Sequence, residues 1–222
     1  MEASHRLATY VRRVYRFPMP WLILLVLLPS LLFGTQSWVA RAEDATDGPG
    51  FRMGTQELSL TAGYLLPHRL TDLHSTKQSG PAIMPSWTVT LTDPVGSGWY
   101  RGQLAIGAEV VYLEFREPVV SHGLGFTPKL KWTFLVTERF RPYFEFAGGP
   151  FWTDLTNRVK ITEEDSEFNF ILTAGFGLSW FITKQAALNV GYRFHHISNA
   201  GTNVPNLGLN ASLPFAGFSY YY

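Results

Sequence analysis

Apolar and polar residues alternate with a period of two through most of the chain beyond residue 42, and the segment 186–198 shows the pattern most clearly. Five apolar residues share one face of this segment: Ala186, Leu188, Val190, Tyr192 and Phe194. The opposite face carries Asn189, Gly191, Arg193 and His195. A period of two indicates a β-strand with one apolar and one polar face.

Eight such segments are separated by clusters of Gly, Pro, Asp and Ser, and no segment has a convincing helical period. The predicted strands are 55–66, 84–92, 99–116, 123–136, 141–151, 167–182, 186–198 and 208–222. Long connections are predicted at 67–83, 152–166 and 199–207, and they alternate with shorter ones at 93–98 and 183–185. Long loops on one side and short turns on the other are typical of bacterial outer-membrane barrels.

Composition favours a lipid environment for these strands. Of the 222 residues, 15% are aromatic and only 16% are charged, whereas soluble domains average about 25% charged residues. Tryptophans fall at or near the predicted strand ends, as membrane-interface girdles require: Trp87, Trp99, Trp132, Trp152 and Trp180. The sequence therefore predicts an all-β, eight-stranded antiparallel transmembrane β-barrel of the outer membrane. The alternative fold is a soluble lipocalin-like barrel or a β-sandwich, in which the apolar face of each strand would form the core.

Charge and cysteine content exclude several classes of protein. The formal net charge is +1 and no Cys is present, which argues against a nucleic-acid binder and removes disulfides, thiolate nucleophiles and Cys-based metal sites. Arg193 and Glu145 both fall on polar strand faces, where they are expected to form an ion pair across the barrel interior.

The first 42 residues have the composition of a secretory signal peptide. A basic start is followed by the apolar run 21–33 and by Ala40-Arg41-Ala42, a small-x-small cleavage site. The rival interpretation, an uncleaved helical anchor, is disfavoured because Pro29 interrupts the apolar run. We therefore predict a signal peptide at 1–42 and an outer-membrane β-barrel domain at 43–222.

Two polar residues break the alternation in the seventh strand. If the outward parity of Tyr192 and Phe194 continues, His196 and Ser198 also face lipid. An unpaired polar group in hydrocarbon costs about 2–7 kcal/mol, so their placement suggests either a position at the headgroup level or a chemical role. On one face of a strand, residues two apart lie about 6.6 Å from each other, which allows an imidazole to lean toward a hydroxyl. A serine nucleophile with a histidine base is the pair used in acyl transfer.

Residues 193–201, which read Arg-Phe-His-His-Ile-Ser-Asn-Ala-Gly, together with Pro205, Asn206 and Gly208, resemble the signature strand and loop of the outer-membrane lipid A 3-O-deacylase family. The resemblance implies a serine esterase in which Ser198 is the nucleophile and His196 is the base. It also implies that Asn199 and Gly201 occupy the loop positions whose backbone N–H groups bind the oxyanion, and that no metal or cofactor takes part. The implied substrate is lipid A, or lipopolysaccharide, in the outer leaflet. The aromatic surface around Tyr192 and Phe194 is expected to bind its acyl chain, because burial of methylenes there is favourable.

Position 210 departs from the family pattern, which has a glutamate where this chain has Asn210. If the last hairpin is symmetric about Asn203, Asn210 lies directly across from His196. An amide carbonyl can hold the imidazole tautomer but cannot stabilise an imidazolium as a carboxylate does, so the resemblance implies a weakened enzyme. If Asn210 faces outward with His196, the barrel interior receives four apolar residues of the last strand, Leu209, Ala211, Leu213 and Phe215, where polar residues are expected. A bulge near Pro214 or Gly217 is expected to reconcile the two halves of this strand.

The remaining polar clusters predict no further site. His68, Asp72 and His74 lack any recognised metal-site spacing and are expected in a turn. The acidic residues Glu163, Glu164, Asp165 and Glu167 are expected in a solvated loop.

The sequence thus predicts an outer-membrane hydrolase of lipid A, with catalytic residues His196, Ser198 and Asn210. Two alternatives stay open: a non-catalytic structural or adhesive barrel, and an acyl hydrolase or transferase acting on another glycolipid or on phospholipid. The expected partners are lipid A and outer-membrane lipids and not nucleic acid. The sequence is compatible with a homodimer but contains nothing that selects an oligomeric state.

Overall fold

The described residues of the computed structural model, 52–68, 77–155, 166–204, 206 and 208–222, form a closed barrel of eight antiparallel strands. The strands pair in chain order, and β1 also pairs with β8. They are β1 (Gln56–Pro67), β2 (Gly80–Thr90), β3 (Gly102–Phe115), β4 (Ser121–Phe134), β5 (Phe140–Thr153), β6 (Phe168–Phe181), β7 (Ala186–Ser198) and β8 (Leu209–Tyr221). The predicted eight-stranded all-β fold is confirmed, whereas the predicted signal peptide at 1–42 lies outside the described residues.

Two strand starts differ from the prediction by more than two residues. The sequence predicts the second strand from residue 84, but β2 begins at Gly80. Gly80 serves strand packing and not a turn, because a Cβ there would lie 1.8 Å from the carbonyl oxygen of Glu114 on β3. The sequence predicts the third strand from Trp99, which instead lies in a short 3₁₀ turn, Gly98–Tyr100, before β3 begins.

The outer wall of the barrel is apolar. Large side chains such as Phe126, Phe144, Phe176 and Val190 point outward and are exposed. Aromatic pairs lie at both ends of the wall, with Trp152 edge-on to Phe168 at one end and Phe140 stacked on Trp180 at the other. An apolar band between aromatic girdles is the surface that a lipid bilayer covers, and it excludes the alternative of a soluble barrel or sandwich in which these outward side chains would form the core. Within the described residues, no helix has the length and hydropathy needed to cross a membrane.

The interior contains a buried ionic network at mid-height. Arg193 on β7 donates two hydrogen bonds to Glu109, at 2.7 and 3.0 Å, and a third to Glu145, as the sequence predicts for that pair. Lys129 lies 3.0 Å from Glu109 and 2.7 Å from Glu145. Arg193 therefore ties the middle of β7 to β3 and β5 across the interior, and each carboxylate has two cations beside it.

The interior nearer the connection 199–208 is instead filled by an apolar cluster. Its buried members come from many strands and include Leu65, Met84, Leu113, Phe115, Phe151, Ile171, Ile197, Leu209, Ala211, Leu213 and Phe215. The inward side chains of β8 therefore have apolar neighbours. This explains why they are apolar while β8 keeps the same alternation of inward and outward residues along its whole length. The expected bulge near Pro214 or Gly217 is wrong, because β8 keeps one register with β7 on one side and with β1 on the other.

Candidate functional site

His196 and Ser198 lie on the outer wall at the end of β7, as the strand parity predicts. Arg193, His195 and Ile197 point inward and are buried, whereas His196 and Ser198 are partly exposed. On the neighbouring strand β6, Leu172 lies opposite His196 and Phe170 opposite Ser198. The two polar side chains are therefore framed by apolar ones at the loop end of the wall.

Asn210 holds the imidazole ring of His196. The two residues are direct partners in the β7–β8 ladder, as the symmetric hairpin predicts. The His196 Nδ1 atom lies 2.8 Å from Asn210 Oδ1. Because a carbonyl oxygen can only accept, Nδ1 donates, and Nε2 is left as the nitrogen that can take a proton.

Gly208 packs directly against the same imidazole ring. The sequence analysis does not assign this role, although Gly208 belongs to the signature. Its φ angle is +76°, and a Cβ there would lie 2.6 Å from His196 Cε1. A side chain at this position would collide with the imidazole. The sequence signal was a glycine at the first position of the predicted last strand, which by itself also fits an ordinary turn.

Ser198 and His196 both lie in the described part of the chain, and their side chains are not hydrogen-bonded to each other. The Ser198 hydroxyl forms no side-chain hydrogen bond with any residue in the described part of the chain. Residues two apart on one face of a strand lie about 6.6 Å from each other along the backbone, so proton transfer between this pair stays a prediction.

The chain turns sharply directly after Ser198. Asn199 is fully buried, its Oδ1 accepts a hydrogen bond from the Gly201 backbone N–H at 2.9 Å, and its carbonyl accepts from Thr202 N–H and Oγ1. Ala200 and Gly201 have φ angles of +54° and +78°. Asn199 therefore braces the turn that carries both proposed oxyanion positions, and the assignment of Asn199 and Gly201 to that role stays a prediction.

The predicted acyl-binding residues Tyr192 and Phe194 continue the same outer face away from the turn. The Tyr192 ring stacks on Phe176, and Phe194 packs edge-on against the His68 ring at 5.7 Å. The hydroxyl of Ser212 lies 2.6 Å from the Tyr192 hydroxyl and 2.9 Å from His68 Nδ1. The sequence analysis expects His68 in a turn and does not predict its contacts with Ser212 and Phe194. Asp72, His74, Glu163, Glu164 and Asp165 lie outside the described residues.

Comparisons with known proteins agree with these observations. The chain matches the family described as lipid A 3-O-deacylase (PagL) over residues 61–219, a range that includes every residue of the site. No curated protein sequence matches it.

Two solved structures are similar to the barrel. The crystal structure of the outer membrane enzyme PagL is 22% identical, with a TM-score of 0.53, and the match covers 72% of this chain and 97% of that chain. Neisserial surface protein A is 14% identical, with a TM-score of 0.51 and coverage of 76% and 97%. At these identities the likeness shows the fold alone.

Proposed function

This chain belongs to the lipid A 3-O-deacylase family, and from that premise we propose that it acts as a serine esterase that hydrolyses an ester-linked acyl chain of lipid A. The chain is a β-barrel of the bacterial outer membrane. The observation that carries the proposal is the hydrogen bond between His196 Nδ1 and Asn210 Oδ1 on the outer wall, with Ser198 two residues from His196 on the same face.

The location of the site fits a substrate that lies in the membrane. The site is at the barrel end that carries the connection 199–208, and the same end carries the connections 68–79 and 154–167. In outer-membrane barrels the longer loops are extracellular, so this end lies at the outer leaflet. A lipid ester at the headgroup level can therefore reach Ser198 by lateral diffusion.

The proposed reaction is acyl transfer through a covalent intermediate. Ser198 Oγ attacks the ester carbonyl carbon while its proton passes to His196 Nε2. Backbone N–H groups of the turn at Asn199 and Gly201 stabilise the oxyanion, for which Gly201 N–H shares or releases its bond to Asn199 Oδ1. The tetrahedral intermediate collapses, and the sugar oxygen leaves with the proton of His196. Water then attacks the acyl-serine and gives a proton to His196. The second tetrahedral intermediate collapses, the bond between the acyl carbon and Ser198 Oγ breaks, the proton of His196 returns to Ser198 Oγ and the free fatty acid leaves.

Asn210 limits the rate of this reaction. Its carbonyl fixes the tautomer of His196, but it contributes no negative charge when the ring becomes an imidazolium in the transition state. The enzyme is therefore expected to be active and slower than a variant with a carboxylate at position 210.

The acyl chain is proposed to lie against Tyr192 and Phe194. Both side chains are on the outer face between the site and the middle of the wall, and Phe176 extends the surface sideways. Burial of each methylene on such a surface contributes about 0.8 kcal/mol.

The decisive experiment incubates the purified, refolded barrel with lipid A in mixed micelles and follows the products by mass spectrometry. We expect the wild type to release one acyl chain and Ser198→Ala to release none. Retained hydrolysis by Ser198→Ala would exclude Ser198 as the nucleophile. A wild type that leaves lipid A intact would favour the structural or adhesive barrel. Cleavage of phospholipid in place of lipid A would favour the alternative of an acyl hydrolase or transferase that acts on phospholipid.

One copy of the chain carries the complete His196–Asn210 pair and Ser198, so the proposed reaction needs no second subunit. A homodimer would be compatible with the proposal, and cross-linking in detergent tests for it.

A further inference from the structure

The barrel end opposite the site presents an unusually exposed tryptophan. The connection 91–101 between β2 and β3 is longer than the other connections at this end, 135–139 and 182–185. Trp99, in its 3₁₀ turn, is 81% exposed, and no other aromatic side chain in the described part of the chain is as exposed. An indole combines a large apolar surface with one N–H group, so it is favoured where a partner or a membrane interface covers it.

The turn that presents this tryptophan is held by several contacts. Two backbone hydrogen bonds join Val95 and Gly102, at 2.8 and 2.9 Å. The Tyr100 hydroxyl lies 3.0 Å from Ser97 Oγ, and a Cβ on Gly96 would lie 2.7 Å from the Tyr100 ring. Gly96 has a φ angle of +85°, which favours glycine. The turn is therefore a defined structure that holds the exposed indole at the end of the barrel.

The three connections at this end form one continuous rim, and each of them carries an exposed cation: Arg101, Arg139 and Lys184. The N–H of Leu135 donates to the carbonyl of Arg101, and the N–H of Phe181 donates to the carbonyl of Arg139, both at 2.8 Å. None of the three cations forms an ion pair within the described part of the chain. We call the connections 91–101, 135–139 and 182–185 together the basic rim.

The basic rim has more cations than acids. Its two acidic residues are Asp93 and Glu138, and Asp93 Oδ1 already accepts a hydrogen bond from the Met53 N–H at 3.2 Å. Arg52, exposed beside Met53, adds a further cation at this end. The excess of positive charge matches a surface of phosphate groups.

The basic rim also continues the lipid-facing wall without a break. Gly102, directly after the connection 91–101, lies so close to Trp132 of the outer wall that a Cβ there would be 2.5 Å from the indole Nε1 atom. Phe140, directly after Arg139, stacks on Trp180 at the same end. Aromatic rings beside cations at the edge of an apolar band are suited to the region of a bilayer where acyl chains meet phosphates.

We propose that the basic rim binds anionic phospholipid headgroups of the periplasmic leaflet, with Trp99 inserted at the level of the headgroups and Arg101, Arg139 and Lys184 paired with lipid phosphates. The site lies at the opposite end of the barrel, so this inference does not depend on the proposed esterase. The rim anchors the barrel in the leaflet that the proposed substrate does not occupy.

The test measures quenching of Trp99 by brominated lipids in the refolded barrel. Vesicles of phosphatidylcholine contain increasing fractions of brominated phosphatidylglycerol or, in a parallel series, brominated phosphatidylcholine. The Trp99 signal is the wild-type emission minus that of Trp99→Phe. Because one cation near an anionic bilayer surface favours binding by about fivefold, half-maximal quenching should need about fivefold less of the brominated phosphatidylglycerol.

Two sets of substitutions assign this preference to the basic rim. With Arg101→Gln, Arg139→Gln and Lys184→Gln combined, the two lipids should quench Trp99 equally. The matched control combines Lys77→Gln with Arg116→Gln, which removes two exposed cations at the end that carries the site, and it should keep the fivefold preference. A salt concentration of about 1 M should weaken the preference of the wild type, since it screens exposed charges.

The remaining outcomes overturn the inference. Trp99 that is quenched by neither lipid lies in water, and this result would favour a periplasmic protein as the partner of the rim. Equal quenching of the wild type by both lipids would exclude recognition of the anionic headgroup. A preference that persists in the triple variant, or that disappears in the control, would exclude the three cations as its source. Heat-modifiable migration in electrophoresis confirms that each variant is folded.

Discussion

Gly208 lies directly against the imidazole of His196, so close that a Cβ at position 208 would be 2.6 Å from Cε1 of the ring. The residue at 208 therefore limits where the ring can lie, while Asn210 holds its Nδ1 atom through a 2.8 Å hydrogen bond. A histidine base depends on such fixed geometry, because small misplacements of a catalytic group cost large factors in rate.

Replacement of Gly208 by alanine should lower kcat about 100-fold, because the new methyl group pushes the His196 ring away from Ser198. An alanine at the positive φ angle of position 208 also lowers the free energy of unfolding by about 1–2 kcal/mol. Deacylation kinetics and urea unfolding measure the two effects. Gly54→Ala is the control: Gly54 has a φ of +92° but a Cβ there would meet no atom within 4 Å. An equal loss of kcat in both variants would show that backbone strain, and not contact with His196, is responsible.

Replacement of Asn210 by glutamate should raise kcat, by about tenfold, because a carboxylate beside Nδ1 stabilises the imidazolium of the transition state. Asn210→Leu should lower kcat by about 100-fold, since it removes the acceptor that sets the tautomer. Steady-state rates on lipid A micelles give both numbers. An unchanged or lower rate in Asn210→Glu would count against the triad assignment.

Replacement of Asn199 by alanine should reduce kcat and leave KM nearly unchanged. The buried Asn199 side chain accepts from Gly201 N–H at 2.9 Å and donates to the Asn203 carbonyl at 3.2 Å, so its loss loosens the turn after Ser198. Asn199→Asp keeps an acceptor for Gly201 and should recover part of the rate. If alanine and aspartate behave alike, the bond to Gly201 does not matter for catalysis.

Replacement of Arg193 by methionine should destabilise the barrel by about 3–5 kcal/mol, because Glu109 and Glu145 would remain buried with Lys129 as their only nearby cation in the network described above. The midpoint of urea unfolding in detergent or bilayers measures this change. Arg139→Met, at an exposed position in the connection 135–139, should shift stability by less than about 0.5 kcal/mol. Comparable shifts in the two variants would mean that the buried network contributes little.

Much of the candidate site could be predicted from local patterns. The period of two placed His196 and Ser198 on the outer face, and the symmetry of one hairpin placed Asn210 opposite His196. Both inferences involve residues on adjacent strands joined by a single connection, so a strand period and a loop length are sufficient to make them. The bulge in β8 was predicted wrongly, because the apolar filling of the barrel end comes from strands far away in the chain.

The sequence by itself determined the number of strands, the face that each side chain of β7 occupies and the residue types available for acyl transfer, because these depend on short-range periodicity and on chemistry. Only the tertiary structure decided that His68 meets Ser212, that Arg193 reaches Glu109 and that the inner face of β8 is covered by apolar side chains. Those contacts depend on how the closed sheet is staggered when β1 joins β8. The stagger follows from the pairing of all eight strands together, and no single segment encodes it.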